Sequence, residues 1–471
     1  MNDILLRPFA LAAFVVLVIG CTGAVDPGAD SGRATDASHA VDTGVRVDGA
    51  SGIDGGPGVD AASDLDSGAP NDASASVTDS GVATTAQWVM GYYVSYQIDM
   101  LPVAEIDWAG LTHIAFAPLV INADHSVSYR FSGAFSSDAA GRTFAQSLSS
   151  AAHAHGVHPM LMLGGAGLSD NVLPAMNANL SGFVSALLAA MDDLGYDGID
   201  LDVESTGFAV PEFTRLASAL RAARPSILLS LPGAAVEVGT HPEAGLAALV
   251  GYLDRYFIQS YYGGSNGLFT GVDSRGTLFE SWFGSAMSGA TDLRPFAIDH
   301  SFDQLTAAGV PASKLGMGVA FYAECYLIPA TTPSGGSDVT GPRMPANGPS
   351  SYCWDCGIGG GDNAYPLSAF FASGSTYARA TAAERRWDDV AASPFLSLSA
   401  STMDTHCGGR TRYVIYEDAR SLEARGVWSR AHGYGGIIIW TIQQGYLPAG
   451  AADGMSRNAL TQALRRGFIA P

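Results

Sequence analysis

From Trp88 onward, the chain alternates between two hydrophobic patterns. Short, nearly continuous runs of aromatic and β-branched residues are typical of strands that are buried on both faces. Between most of these runs lie Ala/Leu-rich stretches with apolar residues at helical spacing, for example over 180–194 and 211–223. The pattern predicts eight strands, over 89–94, 111–116, 158–163, 198–203, 227–231, 256–261, 315–321 and 436–441.

Eight strands that alternate with helices predict the α/β class and a (β/α)8 TIM barrel, in which chemistry occurs at the C-terminal ends of the strands. A doubly wound open sheet is the alternative, but no Gly-rich phosphate-binding loop follows the first strand. The alternation is interrupted once, between Tyr322 and about Tyr413. We therefore predict a barrel over 87–471, with 323–412 inserted between its seventh and eighth strands.

The first 21 residues have the pattern of an export signal. Arg7 precedes an apolar run over 8–19, which is too short to cross a hydrocarbon core of ~30 Å as a helix. The run ends at Val18-Ile19-Gly20-Cys21, which resembles the bacterial lipobox, whose cysteine is acylated and becomes the new N-terminus. We predict a lipoprotein signal peptide over 1–21 and lipidation of Cys21; an ordinary signal peptide is the alternative.

Export and acylation would place the protein on a membrane. With Thr22 rather than an aspartate after Cys21, we expect a lipid anchor in the outer membrane or at the cell surface, or release outside the cell. The anchor would be the only membrane attachment, because no other segment has about 18 consecutive apolar residues.

Residues 22–86 have the composition of a disordered tether. They contain no aromatic residue and consist mostly of Gly, Ala, Ser and Asp, so they cannot bury enough apolar area to offset the entropy of ordering. Asp recurs at every sixth position from Asp30 to Asp72. A calcium loop would need several oxygens converging in one short turn, and we therefore predict a solvated spacer instead.

The charge balance excludes one class of partner. The chain carries 24 Lys+Arg against 45 Asp+Glu, a net charge of −21, and Lys314 is its only lysine. Nucleic-acid binding depends on Lys and Arg that neutralise phosphates, so we expect no nucleic-acid partner. An apolar fraction of 47% is ample for a large core.

Four cysteines are clustered in the insertion: Cys325, Cys353, Cys356 and Cys407. In an exported protein, four clustered cysteines favour two disulfides, with three possible connectivities. The Cys353-x-x-Cys356 spacing is also compatible with zinc, but export makes that alternative weaker. We predict disulfides and no metal site.

The chemistry is concentrated in the fourth predicted strand, Tyr-Asp-Gly-Ile-Asp-Leu-Asp-Val-Glu over 196–204. Side chains on a strand alternate between its faces, so Asp200, Asp202 and Glu204 share one face and the apolar residues between them pack outward. Three carboxylates this close cannot all ionise easily. We expect them to share protons, with Glu204, the outermost, protonated as an acid.

The Asp-Gly-x-Asp-x-Asp-x-Glu motif resembles the signature of glycoside hydrolase family 18, the chitinase family. The resemblance covers essentially all of 88–465 and implies a (β/α)8 barrel that hydrolyses β-1,4 bonds beside N-acetylglucosamine. It also implies that the insertion is a small α+β domain that walls one side of the cleft. Supporting segments are Gly91-Tyr-Tyr, Leu111-Thr-His-Ile-Ala-Phe116, Gly164-Gly165, Gln259-Ser-Tyr261, Gly309-Val-Pro-Ala-Ser-Lys-Leu315 and Gly435-Gly-Ile-Ile-Ile-Trp440.

The family is an exception to the two-carboxylate chemistry of most glycosidases, so the following roles come from the resemblance. Glu204 would protonate the leaving oxygen while the substrate's acetamido oxygen attacks the anomeric carbon, giving an oxazolinium intermediate and retention. Asp202 would orient the acetamido N–H, and Asp200 would share a proton with Asp202. Tyr261 would hydrogen-bond the acetamido group, and Trp440 would form the floor under the sugar.

Three further residues complete the predicted substrate site, namely Tyr92, Gln259 and Phe116, each within a segment that resembles the family. Because the substrate supplies its own nucleophile, neither a metal nor an organic cofactor is expected. The expected partner is chitin or another glycan that contains N-acetylglucosamine, bound by a monomer.

Three positions depart from the family pattern. Met162 stands where a serine usually lies two residues before the Gly-Gly pair, so one hydroxyl partner of Asp200 is absent, although Tyr92 can supply another. Tyr262 replaces a usual Asp or Asn, and Glu324 replaces a usual Arg. We expect these changes to affect substrate preference rather than the acid itself.

Two other functions fit the same motif. An endo-β-N-acetylglucosaminidase acting on N-glycans or peptidoglycan would use the same fold and mechanism, and only the shape of the subsites distinguishes it from a chitinase. A non-catalytic chitin-binding lectin is the third interpretation, but such proteins typically lack the acid, which is present here as Glu204.

Overall fold

The computed structural model describes residues 87–236, 241–260, 298–327, 352–353, 365–388, 392–399, 401–402 and 411–469, without the side chains of 324–327, 352–353, 388 and 411–413. The predicted signal peptide, Cys21 and the tether lie outside these residues. Within them are fifteen strands: β1 Trp88–Val94, β2 His113–Ile121, β3 Val127–Ser128, β4 His158–Leu163, β5 Gly198–Asp200, β6 Leu228–Gly233, β7 Arg255–Ile258, β8 Leu315–Ala320, β9 Tyr322–Leu327, β10 Tyr352–Cys353, β11 Tyr365–Pro366, β12 Arg385–Asp388, β13 Ser393–Ser397, β14 Thr411–Ile415 and β15 Gly436–Trp440.

Eight of these strands form a closed parallel barrel, in the order β1, β2, β4, β5, β6, β7, β8 and β15. The barrel closes because β1 pairs in parallel with β2 on one side and with β15 on the other. The short strand β3 adds to β2 in the antiparallel direction. The predicted (β/α)8 barrel is therefore confirmed, and an open doubly wound sheet is excluded.

Helices follow most barrel strands. The described residues contain α1 Asp138–Ala154, α2 Val172–Leu194, α3 Val210–Ala223, α4 Leu246–Val250, α5 Ile298–Ala307, α6 Leu367–Phe370, α7 Thr376–Arg379, α8 Ala419–Ala431 and α9 Ala459–Leu464. Local signals begin several of them: the side chain of Ser137 accepts a hydrogen bond from Ala140 N at the start of α1, and Asp418 and Ser421 form a capping box on α8. By length and hydropathy α2 is apolar enough to cross a membrane, but it packs against α1 and α3 around the barrel.

The barrel strands bury both faces, which explains their nearly continuous apolar character. One set of side chains, including Met90, Met160 and Ile438, fills the barrel interior. The alternate set, including Leu201 and Leu229, packs outward in the layer between the barrel and the helices. Asp200 and Asp202 are buried polar groups on the inward face, so the strand alternation that separates the two layers also places the carboxylates inside.

The segment between β8 and β15 contains a second, antiparallel sheet. Its strand order is β10, β9, β14, β13 and β12, and β11 also pairs with β9. The short helices α6 and α7 belong to the same segment. Tyr322, Phe395 and Ile415 pack with the interior cluster of the barrel, so this sheet adjoins the end of the barrel at which β8 finishes.

The eight predicted strands are all present, but only the third has the predicted limits at both ends. The largest differences are at the second, the fourth and the sixth, which runs over Arg255–Ile258 rather than 256–261. The second strand starts at His113 rather than 111 and continues to Ile121. The fourth, predicted over 198–203, ends at Asp200, because the chain leaves the ladder where the carboxylates begin. The residues after Asp200 are held by other hydrogen bonds, which shape the candidate site.

Candidate active site

The carboxylates lie on a short irregular segment after β5. Leu201 N donates to Ser230 O (2.8 Å), and Gly165 N donates to Asp202 O (2.6 Å). Glu204 N donates to Ser169 Oγ (2.9 Å). The backbone of this segment is therefore fixed from both neighbouring strands at the C-terminal end of the barrel, where TIM-barrel enzymes place their chemistry.

The Gly164-Gly165 pair allows the close approach of the loop after β4 to this segment. Both residues have positive φ, 94° and 97°, a region that favours glycine. A Cβ on Gly164 would lie 2.5 Å from Ser169 Oγ and 2.7 Å from Asp202 O. A side chain at this position would therefore push the loop away from the carboxylate segment.

Asp200 is fully buried and accepts two hydroxyl hydrogen bonds. Tyr92 Oη donates to Oδ2 (2.6 Å), and Ser230 Oγ donates to Oδ1 (2.5 Å). Burial raises the pKa of Asp200 to about 6, and the bonds from Ser230 and Tyr92 act in the opposite direction. Because both oxygens accept hydrogen bonds from hydroxyl groups, the surroundings of Asp200 suit a carboxylate anion.

Asp202 and Glu204 form a hydrogen-bonded pair of carboxyl groups. Burial, followed by the negative charges of Glu204 and Asp200, raises the pKa of Asp202 well above its ordinary value. Burial also raises the pKa of Glu204, while hydrogen bonds from Asp202 and Gln259 lower it. One proton is therefore retained between Asp202 and Glu204, and Glu204, which is partly exposed, can present it to a ligand.

Trp440 ends β15 beside the carboxylates. Its ring is partly exposed and lies 5.1 Å from the ring of Tyr92, centroid to centroid. The following residue, Thr441, donates from its hydroxyl to Gln97 Oε1 (2.8 Å), and the Trp440–Thr441 peptide is cis. Because Tyr92 also binds Asp200, the indole is held at the same end of the barrel as the three acids.

The structure brings together six of the residues selected from the sequence: Tyr92, Asp200, Asp202, Glu204, Gln259 and Trp440. Tyr261 and Tyr262 lie outside the described residues, as do Cys356 and Cys407. Cys325 and Cys353 are described only as backbone, where they lie opposite each other in the β9–β10 pair. The Glu324 side chain is also not described.

Phe116 requires a correction. The sequence predicts that it binds substrate, but its ring is fully buried and packs against Phe131 (4.4 Å) and Phe144 (5.6 Å), centroid to centroid. It belongs to the layer between the barrel and the helices, whereas its neighbours Ala115 and Ala117 face the interior. Strand alternation thus directs Phe116 away from the carboxylates.

Two residues of the site were not found from the sequence. Ser230 lies within an otherwise apolar strand, and Ser169 lies in the loop after β4. Serine is common in loops and at sheet positions, so neither position carries a recognisable signal. Only the register of β6 beside β5, and the return of the β4 loop onto Glu204 N, show that both hydroxyls contact the carboxylate segment.

Comparisons with known proteins agree with this geometry. Chitinase A1 of Niallia circulans is 24% identical over 281 residues, which are 55% of this chain and only 36% of that protein. The solved structure of Ostrinia furnacalis Group IV chitinase in complex with allosamidin matches with a TM-score of 0.60 and 18% identity, over 81% of this chain and 100% of that one. A Cycas revoluta GH18 chitinase in complex with (GlcNAc)3 matches with a TM-score of 0.56 and 20% identity, over 81% and 99%.

A further solved structure, a glycoside hydrolase family 18 N-acetylglucosaminidase from Paenibacillus barengoltzii, has a TM-score of 0.56 and 19% identity, over 81% of this chain and 100% of that one. At these identities the structural matches establish the barrel. The sequence pattern of the glycosyl hydrolases family 18 matches residues 88–445, which include every strand of the barrel and all three carboxylates. The chain therefore belongs to glycosyl hydrolases family 18.

Proposed function

We propose that this glycoside hydrolase cleaves β-1,4 linkages of N-acetylglucosamine polymers or oligomers, as a chitinase does, by a retaining, substrate-assisted mechanism. The observation that carries the proposal is the hydrogen-bonded Asp202–Glu204 pair beside the buried Asp200. The pair retains a proton that an acid catalyst needs, and it lies at the C-terminal end of the barrel.

In the first step, Glu204 donates its proton to the glycosidic oxygen as the bond between that oxygen and the anomeric carbon breaks. The acetamido oxygen of the substrate attacks the same carbon and forms an oxazolinium ion. In the second step, a water molecule attacks the anomeric carbon, opens the ring and returns a proton to Glu204. Two inversions at one carbon give net retention.

Asp202 acts on the acetamido group. By accepting a hydrogen bond from the acetamido N–H, its carboxylate orients the oxygen for attack and stabilises the positive charge that develops. Glu204 gives the proton that it shares with Asp202 to the glycosidic oxygen, which leaves Asp202 as the carboxylate that this hydrogen bond needs. Asp200, on the other side of Asp202, favours the return of a proton to the pair when water attacks, because its negative charge raises the pKa of Asp202. Trp440 supports the sugar from below, and we assign Tyr261 to the acetamido group from the sequence motif.

An endo-β-N-acetylglucosaminidase that acts on N-glycans or peptidoglycan is the second candidate. Its support is the structural similarity to the Paenibacillus barengoltzii N-acetylglucosaminidase. A lectin is a weaker interpretation because Glu204 and Asp202 are both present and share a proton. The departures at Met162, Tyr262 and Glu324 are where we expect substrate preference to differ from that of a typical chitinase.

We further propose that the barrel is a monomer, exported and anchored through a lipid on Cys21 to the outer membrane or the cell surface, or released. The support is the N-terminal sequence, with its apolar run over 8–19 that ends at the cysteine. The tether over 22–86 would then separate the barrel from the membrane and give it access to an insoluble polysaccharide.

The substrate is tested by product analysis on three substrates side by side: chitin oligosaccharides, peptidoglycan and a high-mannose glycoprotein. Cleavage of chitin oligosaccharides with products in the β configuration is the expected result. Turnover of only the glycoprotein or only the peptidoglycan would favour the second candidate, and binding without turnover of any of them would favour the lectin.

A further inference from the structure

The two strands beside Asp200 place different side chains next to it, one apolar and one with a hydroxyl. In the parallel register, Asp200 is opposite Met162 on β4 and opposite Ser230 on β6. Met162 and Ser230 are both buried. Met162 has no hydrogen to donate, whereas Ser230 Oγ lies 2.5 Å from Asp200 Oδ1. The hydroxyl donor thus comes from the β6 side of the carboxylate and not from the β4 side.

The Ser230 hydroxyl completes the coordination of the carboxylate. From β1, Tyr92 Oη donates to the other oxygen, Oδ2, at 2.6 Å. Without Ser230, Oδ1 would be left in a buried site without this donor, which is costly for an ionised group. The backbone adds a second link between the same residues, because Leu201 N donates to Ser230 O at 2.8 Å. The hydroxyl of Ser230 therefore stabilises the negative charge of Asp200. Its carbonyl oxygen holds the start of the segment that carries Asp202.

We propose that Ser230 is a positioning residue of the reaction: from β6 it keeps Asp200 ionised and directed toward Asp202, and so supplies the hydroxyl that Met162 cannot supply from β4. This inference rests on the proposed function, because Asp200 acts on the substrate only through Asp202. Ser230 itself contacts neither the substrate nor the reacting atoms.

The direction of the effect follows from the groups around Asp200. The titratable ones are Tyr92 from β1, and Asp202 and Glu204 from the segment itself; β4 and β6 present Met162 and Ser230. A hydroxyl that donates to a carboxylate favours the charged form, so its removal raises the pKa of Asp200. The enzyme form with an ionised Asp200 would then exist only at higher pH.

The first test is Ser230→Ala assayed on chitin oligosaccharides across pH. We expect kcat near neutral pH to fall about 10-fold, KM to change less than about 3-fold, and the acidic limb of the kcat profile to move up by about one pH unit. The matched control is Ser218→Ala on α3, where the hydroxyl donates to the backbone of its own helix; it should leave the profile unchanged. A Ser230→Ala enzyme with the wild-type profile and rate would overturn the proposal.

A pair of double variants separates the hydroxyl from simple packing. Ser230→Ala with Met162→Ser restores a hydroxyl on the opposite neighbour of Asp200, whereas Ser230→Ala with Met162→Ala opens the same space without one. We expect the first to recover most of the lost kcat and to return the acidic limb, and the second to recover neither. Equal recovery in both would show that packing, and not the hydroxyl, accounts for the loss.

A measurement without substrate distinguishes this inference from the proposed function. The Tm difference between wild type and Ser230→Ala should grow between pH 4 and pH 8, because the hydroxyl stabilises Asp200 most when it is charged. If wild type fails to cleave chitin oligosaccharides, the proposed function is wrong, and this pH dependence still decides the role of Ser230. A Tm difference that is the same at every pH overturns that role.

Discussion

Asp202 lies between the carboxyl groups of Asp200 and Glu204. The proton that it shares with Glu204 decides which of the three groups is charged. Burial and the charges of Glu204 and Asp200 all raise its pKa. Asp200 accepts a hydrogen bond from a hydroxyl at each of its oxygens, so it can carry the negative charge at neutral pH. The proton therefore stays in the Asp202–Glu204 pair. Glu204 is the one carboxyl group of the three that is partly exposed.

Replacement of Glu204 by glutamine tests the acid. The amide keeps the shape of the side chain but has no acidic proton to donate, so we expect turnover of chitin oligosaccharides by Glu204→Gln to fall by about 10²–10⁴-fold or more while binding is kept. Steady-state kinetics and calorimetric binding measure the two effects. The matched control is Glu423→Gln, a surface residue on α8 paired with Arg466, which should retain full activity. Turnover of the Glu204→Gln variant within tenfold of wild type would show that another group is the acid.

Asp200 should reduce stability at neutral pH. Its pKa is raised to about 6 by burial, so the folded state binds more protons than the unfolded state between about pH 4 and pH 6, and stability falls as pH rises through this range. Asp200→Asn removes the buried charge. We expect its Tm to exceed that of wild type by ~2–5 °C at pH 7 and to equal it near pH 4. Asp303→Asn, at an exposed position on α5, should show no such trend; a variant less stable than wild type at pH 7 would contradict the prediction.

The sequence predicts the three acids because their alternation on one strand is visible without a structure. It also predicts Tyr92 as a hydroxyl donor to Asp200. It does not predict Ser230, since the partner of Asp200 on the next strand depends on the barrel register. The prediction for Phe116 comes from the family resemblance of its segment and is wrong, because strand alternation directs its ring outward. Ala115 and Phe116 are both apolar, so the hydrophobic pattern does not show which of them points inward.

At the scale of elements, apolar runs locate the barrel strands well but not their ends. The fourth strand stops at Asp200, three residues before its predicted end, because Asp202 O accepts from Gly165 in the β4 loop rather than from a strand neighbour. The sheet between β8 and β15 is harder to predict, since it joins distant residues such as Tyr326 on β9 and Tyr413 on β14. Long-range pairing of this kind leaves no periodic signal in the sequence.

Backbone register makes one disulfide in this sheet the expected one. Cys325 on β9 and Cys353 on β10 are directly opposite in an antiparallel pair, where Cα atoms come within the range that a disulfide requires. We expect a disulfide between Cys325 and Cys353, with Cys356 and Cys407 forming the second. The double variant Cys325→Ala/Cys353→Ala should have a free energy of unfolding lower by roughly 3 kcal/mol. Peptide mapping without reduction identifies the bonds. Four free thiols with bound zinc would support the metal alternative.

At the scale of the whole molecule, we predict that Cys21 anchors the chain. Cys21→Ala should abolish labelling by a fatty-acid probe and move the protein to the soluble fraction. Thr22→Asp is the matched variant, because it keeps the cysteine; it should still be labelled but be retained at the inner membrane by the usual sorting of lipoproteins. Labelling of the Cys21→Ala variant would show that the N-terminal interpretation is wrong.

The last prediction concerns the source of the nucleophile. Asp200, Asp202 and Glu204 project from one strand and the segment that continues it. The side chains of Asp202 and Glu204 are hydrogen-bonded to each other. A retaining glycosidase with an enzyme nucleophile needs its two carboxyl groups on opposite sides of the scissile bond, about 5 Å apart. Groups that project together from one segment cannot flank a bond in this way, so the nucleophile should come from the substrate.

Oligosaccharides that differ only at the sugar's second carbon test this conclusion. Cello-oligosaccharides lack the acetamido group and should bind without turnover, whereas chitin oligosaccharides of the same length should be cleaved. A stable thiazoline analogue of the oxazolinium ion should inhibit the enzyme, and Asp202→Ala should weaken that inhibition, because the carboxylate no longer pairs with the ring nitrogen. Rapid cleavage of cello-oligosaccharides, or a covalent sugar adduct on Asp200 or Asp202, would place the nucleophile on the protein and refute substrate assistance.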